Sequence, residues 1–178
     1  MNKTTVTIIA LAYAAAFAYL GPVKIKLPQL DAPQIAAAPA MQVPAFRVPG
    51  AKGGTIDLEA FAGKPVLFMF FTEGCPYCRT AGPALEKLSK NYGPRGLTVL
   101  GVNLDDDKQA ALNFARDLGV TFPLAYDGRA AFRAYKARGV PYIYLIDGDR
   151  NLVDVWEGYD ESYEPMMKSA IETLLAAK

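Results

Sequence analysis

The chain's two cysteines stand together in Cys75-Pro76-Tyr77-Cys78, and this spacing is the strongest chemical signal in the sequence. Two intervening residues let the sulfurs meet across one helical turn, so the pair can pass between dithiol and disulfide with little backbone movement. The motif follows the apolar run Val66 to Phe71 and opens a stretch that reads as a helix from Cys75 to Asn91. Free N–H groups and partial positive charge at a helix N-terminus stabilise a thiolate, and Pro76 suits the first turn, where its missing donor is not needed. So short a loop gains little chain-entropy stabilisation from a bridge, which argues against a structural staple. A zinc site would need further ligands, and the chain has no second cysteine pair and no histidine. The chemistry that remains is thiol–disulfide exchange: Cys75, at the more exposed position, attacks a partner disulfide as thiolate, and Cys78, one turn further in, resolves the mixed disulfide. Arg79 favours the thiolate and Glu73 opposes it. The cofactor is then the Cys75–Cys78 pair itself, with no bound metal or organic group.

The composition removes other classes. Without histidine there is no His-assisted triad and no imidazole pH switch. With 19 basic and 18 acidic side chains, a net charge of +1 offers no overall attraction to nucleic acid. At 52% hydrophobic and 21% charged, the 178 residues suit one globular domain with an appendage, rather than a disordered or multi-span membrane chain.

The elements that must position the cysteines begin after a different kind of sequence. Residues 1–21 carry Lys3 as their single charge and an apolar run from Val6 to Leu20 interrupted by Thr7. This is the pattern of a signal peptide or membrane anchor, here expected to remain uncleaved. Residues 22–45 form a Pro/Ala-rich linker; Pro22 to Pro49 contains six prolines in 28 residues, which no helix or sheet interior accommodates. From 46 to 178 strands and helices alternate, predicting an α/β domain with a central sheet flanked by helices. Val66–Phe71 is apolar throughout, as in a strand buried on both faces. Leu97 to Asn103 reads as a second strand, and Asp105, Asp106 and Asp107 open a helix running to Leu118. Tyr142–Ile146 and Leu152–Glu157 flank the turn Asp147-Gly148-Asp149-Arg150-Asn151. A calcium loop there fails, because Leu152 falls where glycine is required and Gly158 where glutamate is. Tyr163, Met166, Met167, Ala170, Ile171 and Leu174 share one face of a last helix and are expected to pack into the core.

From about Phe46 to Ala177 the sequence resembles the thioredoxin fold, and within it the exported TlpA/ResA-type thiol-disulfide oxidoreductases. The likeness is carried by the entry segment FRVPGAKGGTIDLEAFAGKPVLFMFF, the Cys75–Cys78 motif, Pro83 inside the following helix, VLGVNLDDD, Phe122-Pro123, and YKARGVP ending at Pro141, followed by YLID. It implies a mixed sheet and a cis Pro141 lying against the cysteines. Pro76, Tyr77, Val140, Pro141 and Tyr142 would line a substrate groove in which an extended chain pairs with the Val140 backbone. It also implies an extracytoplasmic protein, on the periplasmic side of a bacterial inner membrane, anchored or secreted. A monomer, it would exchange disulfides with exported proteins, apocytochrome c included, as a reductant recharged by a membrane or soluble redox partner. Departures from the family pattern matter. Gly74 replaces the usual tryptophan, Tyr142 the usual threonine, and Met69 and Ala81 occupy the two positions where relatives carry an acid near the second cysteine. Water or a substrate group then has to take the proton from Cys78. Three rival readings are an oxidase or isomerase, a peroxiredoxin-like peroxidase suggested by Thr72-x-x-Cys75, and a tethered module binding a partner or metal through its thiols.

Overall fold

The computed structural model describes residues 41–177; the expected anchor and the linker up to residue 40 lie outside them. Five strands form the central sheet in the order β5-β4-β3-β6-β7. They are β3 (Val66–Phe71), β4 (Thr98–Asn103), β5 (Leu124–Ala125), β6 (Tyr142–Ile146) and β7 (Leu152–Glu157), preceded by a separate antiparallel pair, β1 (Arg47–Pro49) and β2 (Thr55–Asp57). β3 runs parallel to β4 and antiparallel to β6, so the sheet is mixed, as in thioredoxin-like folds. Its all-apolar sequence has a direct cause: it is central, each of its side chains is at most 1% exposed, and both faces are covered.

The two faces are built differently. Leu67, Met69, Phe71, Ile143, Leu145 and Trp156 face helices α1 (Pro76–Tyr92), α2 (Lys108–Leu118) and α4 (Tyr163–Ala176). Phe68, Phe70, Tyr142 and Tyr144 face the other way, toward Phe46, Tyr135 and α3 (Arg129–Ala134). Close approach on the first face depends on small residues. A Cβ on Gly82 of α1 would stand 3.1 Å from Phe114 and Leu118 of α2, and one on Gly101 of β4 would stand within 3.1 Å of Phe71.

Local signals explain most element ends. Of the three aspartates before α2, Asp107 is the cap, its carboxylate accepting from Gln109 N at 2.8 Å, whereas Asp105 faces Arg129 at 3.9 Å. Gly119 closes α2 at φ 67°, the left-handed conformation glycine adopts without strain. In the β6–β7 turn the Asp147 carboxylate accepts from Asp149 N, Asn151 N and Asn151 Nδ2, so its oxygens serve the turn. The α4 stripe needs one correction. Met167 and Ile171 are fully buried and Tyr163, Ala170 and Leu174 partly so, but Met166 is 52% exposed. At 3.6 residues per turn Met166 lies a helical step off the Met167–Ile171 line, and it faces solvent. Residues 42–45, read from composition as linker, touch the domain: Val43 N donates to Arg150 O at 2.9 Å, and Val43 is buried. No described helix is long and apolar enough to cross a membrane.

Candidate active site

β3 ends at Phe71, and the next residues turn the chain into α1, which places the cysteine motif at the C-terminal edge of the central strand. Cys75 is the N-cap of α1 and Pro76 its first residue, so the proline costs no helical hydrogen bond. Cys75 Sγ accepts from Cys78 N at 3.2 Å. This is a capping bond, and once the pair is reduced the same N–H faces a thiolate. The two cysteines form a disulfide with a Cα–Cα distance of 5.2 Å. Their surroundings differ sharply. Cys75 is partly exposed, with the exposed Pro76 and the 64% exposed Tyr77 beside it. Cys78 is fully buried in the cluster that holds Met69 and Ala81. Of the two sulfurs, the one a second protein can reach is that of Cys75.

A second segment meets the motif from the side. The Val140–Pro141 peptide bond is cis, and Val140 O lies 3.5 Å from Cys75 Sγ, where a reduced thiol would donate to it. Pro141 O accepts from Gly158 N at 2.8 Å, while the Val140 N–H has no partner among the described residues. Pro76, Tyr77, Val140 and Pro141 are therefore placed at or beside the reactive sulfur by α1 and by the chain entering β6. Tyr142 differs. Its backbone follows Pro141, but its side chain lies on the opposite sheet face, stacked on Tyr144 at 5.1 Å, with its hydroxyl donating to Glu157.

Charges near the site are largely engaged elsewhere. Arg79, a candidate for holding the thiolate, pairs with Asp117 of α2 at 3.6 Å. Met69 and Ala81 are fully buried and apolar, so neither position supplies an acid for Cys78. The buried carboxylate of α1 is Glu86, two turns further along. It accepts from Thr121 N at 2.8 Å and Thr121 Oγ1 at 2.6 Å and pairs with Lys90 at 3.1 Å. Burial alone would raise its pKa, but these bonds outweigh that and hold the carboxyl below the ordinary 4.5. Among the described residues no group of three or more cysteines and carboxylates is placed to hold a metal ion.

Sequence reading missed the residue that ties the Val140 segment down. Glu157, at the end of β7, accepts from both Tyr142 Oη and Arg138 Nη2, the latter at 3.1 Å. Tyr142 and Glu157 are also cross-strand partners. The Tyr142 phenol is pushed up first by burial and then by its bond to Glu157, whose own carboxyl is pulled down by Tyr142 and then Arg138.

A parallel β3–β4 pair with an antiparallel β6–β7 hairpin, a CxxC at the start of α1 and a cis-proline beside it define a thioredoxin-fold thiol–disulfide exchange site. The model of the AhpC/TSA family matches residues 39–155, and the chain belongs to that family. It is 31% identical over 108 residues to the thiol-disulfide oxidoreductase ResA of Halalkalibacterium halodurans, covering 60% of this chain and 61% of that protein. It is also 30% identical over 107 residues to ResA of Bacillus subtilis, covering 60% of each. The alignments thus span about three fifths of these relatives' own length. The thioredoxin domain of a thiol-disulfide oxidoreductase from Bacteroides vulgatus superposes with a TM-score of 0.65 at 26% identity, over 75% of this chain and 98% of that one.

Proposed function

We propose that the protein reduces disulfides of exported proteins from the periplasmic side of a bacterial inner membrane, tethered there by its N-terminal segment. The observation that carries this reading is a reachable Cys75 whose Sγ lies 3.5 Å from Val140 O, on a residue whose N–H has no partner among the described residues, next to a sealed Cys78. An extended substrate would run past Pro76, Tyr77, Val140 and Pro141, pairing its backbone with Val140. The Cys75 thiolate attacks one substrate sulfur and the other leaves as a thiolate. Cys78 then loses its proton and attacks Cys75 Sγ, which breaks the mixed disulfide and releases the substrate as a dithiol. The protein ends as the Cys75–Cys78 disulfide and needs two electrons from a membrane or soluble dithiol partner before it can act again. Apocytochrome c, whose haem attachment needs free thiols, is a fitting substrate, and the names of the ResA relatives support the exchange chemistry.

The direction is tested by equilibrating the full-length protein in glutathione buffers, trapping the thiols and counting them by mass. A reductant is expected to poise near or below about −270 mV. A value of about −120 to −180 mV would replace this reading with that of an oxidase or isomerase.

A further inference from the structure

Three bonds run from one corner of β7 to the segment that faces Cys75. Glu157 Oε1 accepts from Arg138 Nη2 at 3.1 Å on the near side of that segment and from Tyr142 Oη on its far side. The next residue, Gly158, donates its N–H to Pro141 O at 2.8 Å. Between the two side-chain bonds lie Gly139, Val140 and Pro141, and Gly139 is exposed, with open space where a Cβ would stand. A glycine followed by a peptide group with an unpaired N–H would be free to swing unless its flanks were held. Glu157 holds both flanks with a single carboxylate oxygen.

The energetics of the two arms differ. Arg138 and Glu157 have side chains 79% and 52% exposed, and an ion pair that open to water contributes little by itself. Tyr142 is 7% exposed, and a phenol buried to that degree loses most of its access to solvent partners if the carboxylate is removed. The anchored end is thus Tyr142, locked into β6 and stacked on Tyr144, and Glu157 transmits that rigidity across to Arg138. The residue nearest the substrate, Val140, sits at the centre of the span.

We propose that Glu157 is a positioning residue for the exchange reaction, fixing Val140 beside Cys75 and so setting how tightly a disulfide-bearing chain is held. This rests on the groove reading above, and the substrates are chosen to separate the two. The full-length reduced protein is assayed on a disulfide-linked peptide, on the same peptide N-methylated at the amide next to its cysteine, and on a low-mass disulfide too short to lie along Val140. Glu157→Ala, which removes the acceptor of both bonds, is expected to raise KM for the peptide about fivefold, with kcat falling by less, and to affect the low-mass disulfide less than the peptide. Glu157→Gln, which keeps an acceptor oxygen, is expected to restore most of that loss. Arg138→Gln, at an exposed position, is expected to move KM in the same direction by a smaller factor. Adding Tyr142→Phe to Glu157→Ala is expected to cost no further factor, because the latch is already open. If wild-type protein handles the N-methylated and plain peptides alike, the groove reading fails and the latch with it. If it discriminates between them but Glu157→Ala leaves the peptide KM where it was, the latch alone is overturned. Equal losses on peptide and low-mass disulfide, or losses of Glu157→Ala and Tyr142→Phe that multiply, would also overturn it.

Discussion

The two faces of the sheet do opposite work with similar apolar content. On the face away from the cysteines, Phe46, Phe68, Phe70, Phe132, Tyr135, Tyr142 and Tyr144 form a continuous aromatic block with ring centroids 5.1–6.0 Å apart. Its polar atoms are taken up internally, Tyr135 Oη donating to Pro44 O at 2.7 Å and Tyr144 Oη to Tyr135 O at 3.0 Å. On the cysteine face the one ring pair among the described residues is Phe71 with Phe114, and α1 approaches the sheet through Ala81, Gly82 and Ala84. A large ring beneath Cys78 would lift the helix, whereas large rings on the far side stiffen β3 and β6 from behind. Rigidity is thus built where no substrate comes, and the reactive helix is left with a thin, close contact.

Substitutions can break this comparison, beginning with the largest effect. Cys75→Ser is expected to abolish disulfide exchange outright, while Cys78→Ser should leave a protein that attacks but cannot resolve, accumulating mixed disulfides visible as added mass on nonreducing gels. Both should fold, which far-ultraviolet circular dichroism checks. Phe68→Ala, in the aromatic block, is expected to lower unfolding stability by about 4 kcal/mol in urea titration while the folded fraction still exchanges disulfides. Retained stability there would mean that the block is not the stiffening element. Glu86→Gln removes a charge that Thr121 and Lys90 hold on the cysteine side, and a loss of about 2 kcal/mol is expected at neutral pH. Because the folded carboxyl titrates below 4.5, the charge stabilises the fold at higher pH and ceases to as the pH falls through the folded value. The gap between wild type and variant should therefore be constant near neutrality and close in acid; a gap that widened in acid would contradict this account. Tyr144→Phe, the smallest change, is expected to cost about 1 kcal/mol for the lost bond to Tyr135 O, measured the same way.

Much of this was legible in the sequence because it rests on short-range rules. The motif at a strand-to-helix turn, the all-apolar β3 and the boundaries of β6 and β7 follow from runs, caps and turn residues that are local. The Tyr142 side chain was expected in the groove and is instead on the aromatic face, because alternation along β6 sends residues 142 and 143 to opposite sides, and the position relative to the cis-proline says nothing of that. Glu157 escaped notice for a related reason. The β6–β7 pairing is Ile146↔Leu152 beside the turn but Leu145↔Asp154 one step on, so Val153 is an extra residue in β7. Counting back from the turn without that bulge would set Tyr142 opposite Trp156. With it, Trp156 turns into the cysteine-side core and Glu157 comes to Tyr142, a swap of faces caused by one residue. Nothing in Leu152-Val153-Asp154 announces the bulge.

The register of β3 also has a consequence for how the domain is made. Its partner on one side, β4, follows within 30 or so residues, but its partner on the other, β6, begins at Tyr142, and the Val43 backbone bond waits for Arg150. During synthesis from the N-terminus the most apolar of the described strands therefore holds an unpaired edge until about four fifths of the sequence exists. Such an edge invites pairing with other chains. A chain interrupted between Pro123 and Pro141 would carry the complete CxxC motif on a half-sheet with that edge open, and it is this nascent intermediate, rather than the finished domain, that chaperones would have to keep from aggregating.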